Sequence, residues 1–289
     1  MSNRILLALD GSPTDEAALA QARRIGVGGA EIHLLHAVPS RAVPVGAPLM
    51  GMVGAPEIHP VPVGAAGAEA HFEGSFPASL RGHKRAGESA MYDQALRYLE
   101  DFRRRLPGVH GQEIVRTGDP AEAILEAALT FNIDLIVMST HARTALGEWL
   151  FGSVSRTVLL RSKLPVLLVR RGIPPPSREL RRVLVASDGS EASLSILPTM
   201  KALAARTGAE IILLLVANRS ADVLVAARRF GDDTSVAFRM VVAEGRWSKQ
   251  ILLRARMEDV DVIAQSLGGR KRRSWISRAT LPVLLQDTA

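Results

Sequence analysis

The chain has 289 residues, of which 47% are hydrophobic, 22% charged and 4% aromatic. These proportions are typical of a globular protein and exclude a disordered or fibrous chain. The absence of cysteine excludes disulfides, thiolate metal sites and cysteine nucleophiles. The formal net charge of +7 comes largely from short arginine clusters, and because few aromatic residues are available to stack on bases, nucleic acid is not an expected partner.

The hydropathy pattern predicts no membrane-spanning segment. The longest unbroken apolar run covers residues 211–217, which is seven residues, whereas a membrane-spanning helix needs about 20. The apolar stretch near the amino terminus ends at Asp10 and is too short for the core of a signal peptide. The sequence therefore predicts a cytoplasmic protein without a membrane partner.

Short strands alternate with amphipathic helices along the first half of the chain. The predicted strands are residues 5–9, 32–38, 112–116, 135–138 and 166–169, and the predicted helices are residues 14–25, 91–106, 121–131 and 152–160. Residues 39–87 interrupt this pattern with a stretch rich in glycine, proline, alanine and valine, which predicts a long mobile loop. Alternating strands and helices predict an α/β fold with a parallel sheet covered on both faces.

Four segments of the first half recur in the same order in the second half. Residues 4–12, 117–125, 134–137 and 164–168 match residues 182–190, 244–252, 261–264 and 281–285. This repetition predicts two tandem units, residues 1–171 and 179–289, joined by a proline-rich linker at residues 172–178. The second unit is shortened between Ser266 and Leu281.

Candidate binding residues lie where strands of the first unit end. The first strand runs into Asp10 and Ser12, and the fourth is followed by a helix that begins at Gly152-Ser153. Free backbone N–H groups at such a helix start suit a phosphate, and a carboxylate after the first strand suits a ribose or an adenine amino group. The alternative is that Asp10 and Ser12 only cap the next helix.

Both units resemble the universal stress protein family, and the whole chain resembles its tandem members. The family motif Gly-x2-Gly-x9-Gly-(Ser/Thr) falls on Ser139, Ala142, Gly152 and Ser153 with the spacing intact and with both leading glycines replaced. The resemblance implies that each unit is a five-stranded parallel-sheet sandwich of the Rossmann-like, adenine nucleotide alpha hydrolase-like type. It also implies that the first unit binds ATP or a related adenine nucleotide, with Mg²⁺ arriving on the nucleotide.

The resemblance assigns the predicted site residues to parts of the nucleotide. Ala8, Asp10 and Ala37 would line the adenine and ribose end, Met138 and Ser139 would lie near the ribose, Ala142, Gly152, Ser153 and Val154 would hold the phosphates, and Arg143 would add positive charge beside them. No catalytic residue and no metal site of the protein's own is predicted. The implied role is regulatory or protective in stress, with slow ATP hydrolysis at most.

The second unit departs further from the family. Its motif lacks the Gly-Ser pair, and the deletion removes most of the helix that would hold phosphates. We therefore expect a degenerate unit that pairs with the first through the fifth strands as an internal pseudo-dimer, while an exposed edge could also join two chains as a homodimer. Two alternatives stay open: a nucleotide-free interaction protein, and an ATP-cleaving relative whose substrate pocket is formed by residues 39–87.

Overall fold

A computed structural model describes residues 3–12, 15–26, 29–38, 86–140, 152–170, 178–216, 236–268 and 273–287. The predicted loop at residues 39–87 lies outside these ranges except for its last two residues. Those two belong to a helix that begins at Ala86. Almost all of the predicted linker at residues 172–178 also lies outside the described part of the chain.

Every strand and helix predicted for the first half is present. The elements are β1 (Arg4–Leu9), α1 (Asp15–Ile25), β2 (Glu31–Val38), α2 (Ala86–Arg104), β3 (Glu113–Thr117), α3 (Pro120–Thr130), β4 (Leu135–Thr140), α4 (Ser153–Arg161) and β5 (Val166–Arg170). In the second half they are β6 (Arg182–Ser187), α5 (Glu191–Leu194), α6 (Leu197–Thr207), β7 (Glu210–Val216), β8 (Phe238–Ala243), α7 (Trp247–Met257), β9 (Val262–Ser266), a 3₁₀ helix (Arg273–Arg278) and β10 (Val283–Gln286).

The strands form one sheet of ten, in the order β3-β2-β1-β4-β5-β10-β9-β6-β7-β8. Read outward from the centre, each half repeats the same order of five strands, and the neighbours within each half are parallel. The two halves meet where β5 pairs antiparallel with β10, with Val283 opposite Leu168 and Leu285 opposite Val166. The predicted α/β class is confirmed.

The central strands are apolar on both faces, as a sheet covered by helices on both sides requires. In β1, Ile5 and Leu7 lie in one buried cluster with Leu99 of α2, and Leu6 lies in the other with Ile124 of α3. Each cluster also contains residues of the second half. Helices of the first half therefore cover both faces and leave the strand ends free to form a site.

A buried ion pair links α1 to the second half. The guanidinium of Arg24 donates to Asp261 Oδ1 at 2.8 Å and to the backbone oxygen of Arg178 at 2.7 Å. Burial alone would raise the pKa of Asp261, but N–H groups of Arg181 and Arg182 and the Arg24 guanidinium hold that pKa below its usual range. The carboxylate is therefore ionised and fully surrounded by donors at neutral pH.

No helix within the described ranges combines the length and the apolar character needed to cross a bilayer.

Candidate functional site

A cavity of about 340 Å³ opens at the carboxyl ends of β1, β2 and β4 and is closed by the start of α4. Its volume lies in the range of small-molecule sites. Eight of the ten predicted site residues line it: Ala8, Asp10, Ala37, Met138, Ser139, Gly152, Ser153 and Val154. The other two, Ala142 and Arg143, lie outside the described residues. The structure thus brings the eight together, and their role in binding nucleotide stays a prediction.

Topology explains why these residues meet. The strand β1 has β2 on one side and β4 on the other, so the connections from β1 and toward β4 leave the sheet in opposite directions. Such a switch in strand order opens a crevice beyond the carboxyl ends, and ligands of parallel α/β sheets bind there. Apolar side chains of Leu35, Ile124 and Met138 form its floor and Asp10 its polar rim.

The start of α4 faces this cavity with backbone donors. Gly152 is the residue that precedes the helix, and it provides no side-chain acceptor for the first-turn N–H groups. The hydroxyl of Ser155 donates to the Gly152 carbonyl oxygen at 3.1 Å instead of capping the N–H groups. The N–H groups of the first turn of a helix have no acceptor within the helix. They are therefore suited to bind an anionic ligand.

Below the rim lies a buried carboxylate that sequence reasoning missed. Asp15 Oδ2 accepts hydrogen bonds from the backbone N–H groups of Asp10 at 3.0 Å and Gly11 at 2.9 Å, and from the Tyr98 hydroxyl at 2.6 Å. The Ser139 hydroxyl donates to Asp15 Oδ1 at 3.3 Å. This one carboxylate therefore joins the end of β1, the end of β4 and the helix α2.

Burial shifts the titration of this cluster. Desolvation raises the pKa of Asp15 to about 6, the negative charge of Asp10 adds to the rise, and the hydrogen bond from Tyr98 opposes it. Burial and the Asp15 hydrogen bond also raise the pKa of the Tyr98 phenol, so the phenol remains a donor. An acidic residue in the first turn of a helix is ordinarily explained by the helix dipole, which is why the sequence alone did not single out Asp15.

Two histidines of β2 lie on opposite faces of the sheet. His36 lies on the cavity wall with its Nδ1 3.0 Å from the Leu9 carbonyl oxygen, and its ring centroid is 5.5 Å from that of Tyr98. His33 is buried and packs on Phe131 of α3, with centroids 4.9 Å apart. His36 is half-buried and faces the cavity, so it is not a fully packed core residue. Within the described ranges, no three potential metal ligands come together.

The corresponding end of the second half is built differently. The position of Asp15 is taken by Ser193, whose hydroxyl lies 2.6 Å from that of Ser187. Trp275 of the 3₁₀ helix is fully buried, and its indole N–H donates to Gln265 at 2.7 Å, at the strand position that corresponds to Met138. An aromatic ring therefore packs at the end of β9, where the first half has a wall of its cavity.

Comparison with known proteins connects this geometry to one family. The sequence model of the universal stress protein family matches residues 1–170 of this chain. A universal stress protein of Methanocaldococcus jannaschii is 29% identical over 59% of this chain and 96% of its own length. The universal stress protein YxiE of Bacillus subtilis is 30% identical over 59% of this chain and 100% of its own length.

Solved structures extend the likeness of fold over the second half. A universal stress protein from Archaeoglobus fulgidus superposes with a TM-score of 0.70 at 20% identity and covers 100% of both chains. A functionally unknown protein from Pseudomonas aeruginosa superposes with a TM-score of 0.60 at 14% identity, over 99% of this chain and 92% of its own. At these identities the match shows the fold alone, in the second half as well as in the first.

Proposed function

Since the chain belongs to the universal stress protein family, we propose that its first half binds ATP or a related adenine nucleotide. The proposed role is regulatory or protective in stress. The observation that carries the proposal is that eight residues predicted from the family motif and the strand ends line a single cavity of about 340 Å³. A cavity that joins an apolar floor to a helix start suits a ligand with a flat apolar ring at one end and phosphates at the other.

The parts of the nucleotide have distinct places in this proposal. The adenine ring packs between Leu35, Ile124 and Met138, and Asp10 accepts a hydrogen bond from the ribose or the adenine amino group. The phosphates lie against the first-turn N–H groups of α4, where the helix dipole also favours negative charge. Gly152 fits this contact because, among the residues that the structure describes, the nearest neighbour of a β-carbon on it would be the Ser155 hydroxyl at 4.0 Å, which leaves space for the ligand.

Binding rather than turnover is the proposed activity. Mg²⁺ would arrive on the phosphates of the nucleotide, as it usually does, and would be held through substrate oxygens. Asp10 contributes a carboxyl group to the cavity wall at the end of β1, and within the part of the chain that the structure describes it belongs to no group of three potential metal ligands. Slow hydrolysis is the most that this arrangement supports.

The second half has a structural role in the proposal. Residues 1–171 and 179–289 are two units that form an internal pseudo-dimer through β5 and β10, with residues 172–178 as linker. The fully buried Trp275 ring packs at the end of β9, at the strand position that corresponds to Met138, and this packing supports a second half that holds no nucleotide. The edges of the sheet, β3 and β8, are the places at which a homodimer would form.

A calorimetric titration with MgATP tests the proposal. Wild-type protein is expected to bind one nucleotide per chain, and Gly152→Asp is expected to lose binding because a carboxylate would face the phosphates. Ala192→Asp is a matched control, since it adds the same charge to an exposed position in the first turn of α5 in the second half. Two sites per chain would contradict the structural role of the second half, and a folded protein that binds none would contradict the function.

A nucleotide-free interaction protein is the second candidate. It is favoured by the serine at position 139, where the motif has glycine, and by the indole that packs at the end of β9. If the titration shows no binding by folded protein, this candidate replaces the first.

A further inference from the structure

The two oxygens of the Asp15 carboxylate have different surroundings. Oδ2 accepts from Asp10 N–H, Gly11 N–H and the Tyr98 hydroxyl, three donors within 3.0 Å. Within the described part of the chain, Oδ1 has one hydrogen-bonding partner, the Ser139 hydroxyl at 3.3 Å. A proton taken up by Asp15 therefore goes to Oδ1, because three donors already surround Oδ2.

The position of that proton decides what Ser139 offers the cavity. When Asp15 is ionised, the Ser139 hydroxyl directs its hydrogen to Oδ1 and presents only lone pairs elsewhere. When Oδ1 carries a proton, Asp15 donates to Ser139 Oγ, and the serine hydrogen is released. Since Ser139 lines the cavity, its hydrogen can then be donated to a ligand oxygen.

We propose that Asp15 is a positioning residue that makes the nucleotide site proton-linked, so that a ligand oxygen binds at Ser139 together with the uptake of one proton on Asp15 Oδ1. The inference rests on the proposed function and adds a regulation to it. The proton comes from solvent and stays on the carboxyl while the nucleotide is bound. Affinity for the nucleotide therefore increases as the pH falls.

The surroundings of Asp15 favour this proton uptake. Burial raises its pKa to about 6, so the proton costs little near neutral pH. Asp10, at the end of β1, is the charged group that acts on Asp15 at short range, and its negative charge favours the neutral acid. Ligand phosphates would act in the same direction. The helix α2 contributes Tyr98, a neutral donor, and β2 contributes His36, whose ring contacts Tyr98.

The second half supplies an internal comparison. Its counterpart of Asp15 is Ser193, which pairs with the hydroxyl of Ser187 at 2.6 Å and also donates to the backbone oxygen of Ser190. At the position of Asp15 this network has a hydroxyl in place of a carboxylate, while Asp188 of the same loop accepts from the N–H and the hydroxyl of Ser190. A carboxylate is thus not needed to hold the loop at this position, and Asp15 adds a charge that the second half does without.

Titration of wild type and Asp15→Asn with MgATP at about pH 5.5 and about pH 7.5 tests the proposal. The asparagine mimics the neutral acid, because its carbonyl accepts the three donors and its amide donates to Ser139. We expect the wild-type dissociation constant to rise about tenfold more than that of Asp15→Asn between the two pH values, which corresponds to about one pKa unit of linkage. ATP's own titration is common to both proteins and cancels in the comparison.

Proton counting and two further variants separate the alternatives. Calorimetry in buffers of different ionisation enthalpy should show more protons taken up by wild type than by Asp15→Asn. Ser139→Gly, which restores the residue of the motif, should bind ATP with a weaker pH dependence than wild type, because the hydroxyl that couples Asp15 Oδ1 to the ligand is gone. His36→Asn should keep the wild-type dependence, which would assign the titration to Asp15 rather than to an imidazole.

The results distinguish failure of the proton link from failure of the proposed nucleotide binding. Equal pH dependence in wild type and Asp15→Asn, with ATP bound by both, overturns the proton link and leaves the proposed function standing. Loss of the dependence in His36→Asn also overturns it. If wild type, Asp15→Asn and Ser139→Gly are folded and bind no ATP at either pH, the proposed function fails and this inference fails with it.

Discussion

At the scale of single residues, the Asp15 carboxylate ties the candidate site together, because it accepts from the N–H groups of Asp10 and Gly11 and from the Tyr98 hydroxyl. Asp10, Gly152 and Ser153 were predicted because strand ends and helix starts can be located from local patterns. Asp15 was missed because its partner Tyr98 lies 83 residues away along the chain, beyond the long insertion. Burial and a distant hydrogen bond change what an aspartate does, and neither is visible in local sequence.

The stability of the folded chain should report the titration of Asp15. Its folded pKa of about 6 lies above the ordinary value of 3.8. Its contribution to the free energy of unfolding is therefore fully present below about pH 4 and is lost as the pH rises through about 6, by up to about 3 kcal/mol. Urea unfolding over this range should show this fall for wild type.

The variant Asp15→Asn should lack that fall, so that it is more stable than wild type at about pH 7.5. Other carboxylates give both proteins a common background that the difference removes. Parallel stability curves for the two proteins would mean that Asp15 is ionised in the folded chain throughout.

Gly152→Ala should separate folding from binding. The backbone of Gly152 has φ −60 and ψ 162, which any residue can adopt, and the nearest described neighbour of the added carbon would be the Ser155 hydroxyl at 4.0 Å. We expect stability to change by less than about 0.5 kcal/mol, while MgATP binding weakens because the ligand needs that space.

Thermal unfolding and calorimetric titration measure these two effects. Gly208→Ala is the contrasting variant: Gly208 has φ 70 at the end of α6, so alanine there should destabilise by about 1 kcal/mol without affecting MgATP. Unchanged MgATP affinity in Gly152→Ala would place the phosphates elsewhere.

At the scale of elements, the helix α2 shows where sequence patterns stop being informative. Its buried residues Ala95, Leu99 and Phe102 are spaced four and three residues apart, and this apolar spacing predicts a helix. Its first turn contains Gly87 and follows a glycine-rich stretch, so the predicted start at residue 91 was five residues later than the observed start at Ala86. Packing of its apolar face against the core stabilises the helix. The residue at which the helix begins is therefore set by this packing rather than by local propensity.

Truncation of the Leu99 side chain should therefore lower the free energy of unfolding substantially. Its side chain is fully buried between α2 and the sheet, and Leu99→Ala is expected to lower the free energy of unfolding by about 2–5 kcal/mol. Leu129→Ala, at a position that is 80% exposed on α3, should change it by less than about 0.5 kcal/mol. Urea unfolding measures both, and similar losses would show that α2 is not anchored through Leu99.

At the scale of the whole molecule, the repeat predicted two similar units, but side chains at their junction could not be predicted. The pair Arg24 and Asp261 joins positions 237 residues apart. The second half has Ala202 at the position matching Arg24. The repeat therefore does not indicate that position 24 forms an ion pair. Such contacts arise from the packing of α1 against the other half and are specific to one side of the pseudo-symmetric molecule.

Arg24→Ala should destabilise the protein by about 3 kcal/mol, because removing one member of a buried pair leaves the other charge with fewer partners. Arg105→Ala provides the contrast, since Arg105 pairs with Glu16 at the surface, and exposed pairs contribute at most about 1 kcal/mol. Chemical unfolding of the two variants compares them. An equal loss in both would mean that Asp261 is satisfied by Arg178 and its backbone donors alone.

The pairing of β5 with β10 within one chain has a consequence in terms of mass action. A junction between separate chains weakens on dilution, whereas this junction keeps its strength at any protein concentration. The second half can thus cover β5 permanently, and its fully buried Trp275 packs at the end of β9. The melting temperature of the monomeric chain should accordingly be independent of its concentration.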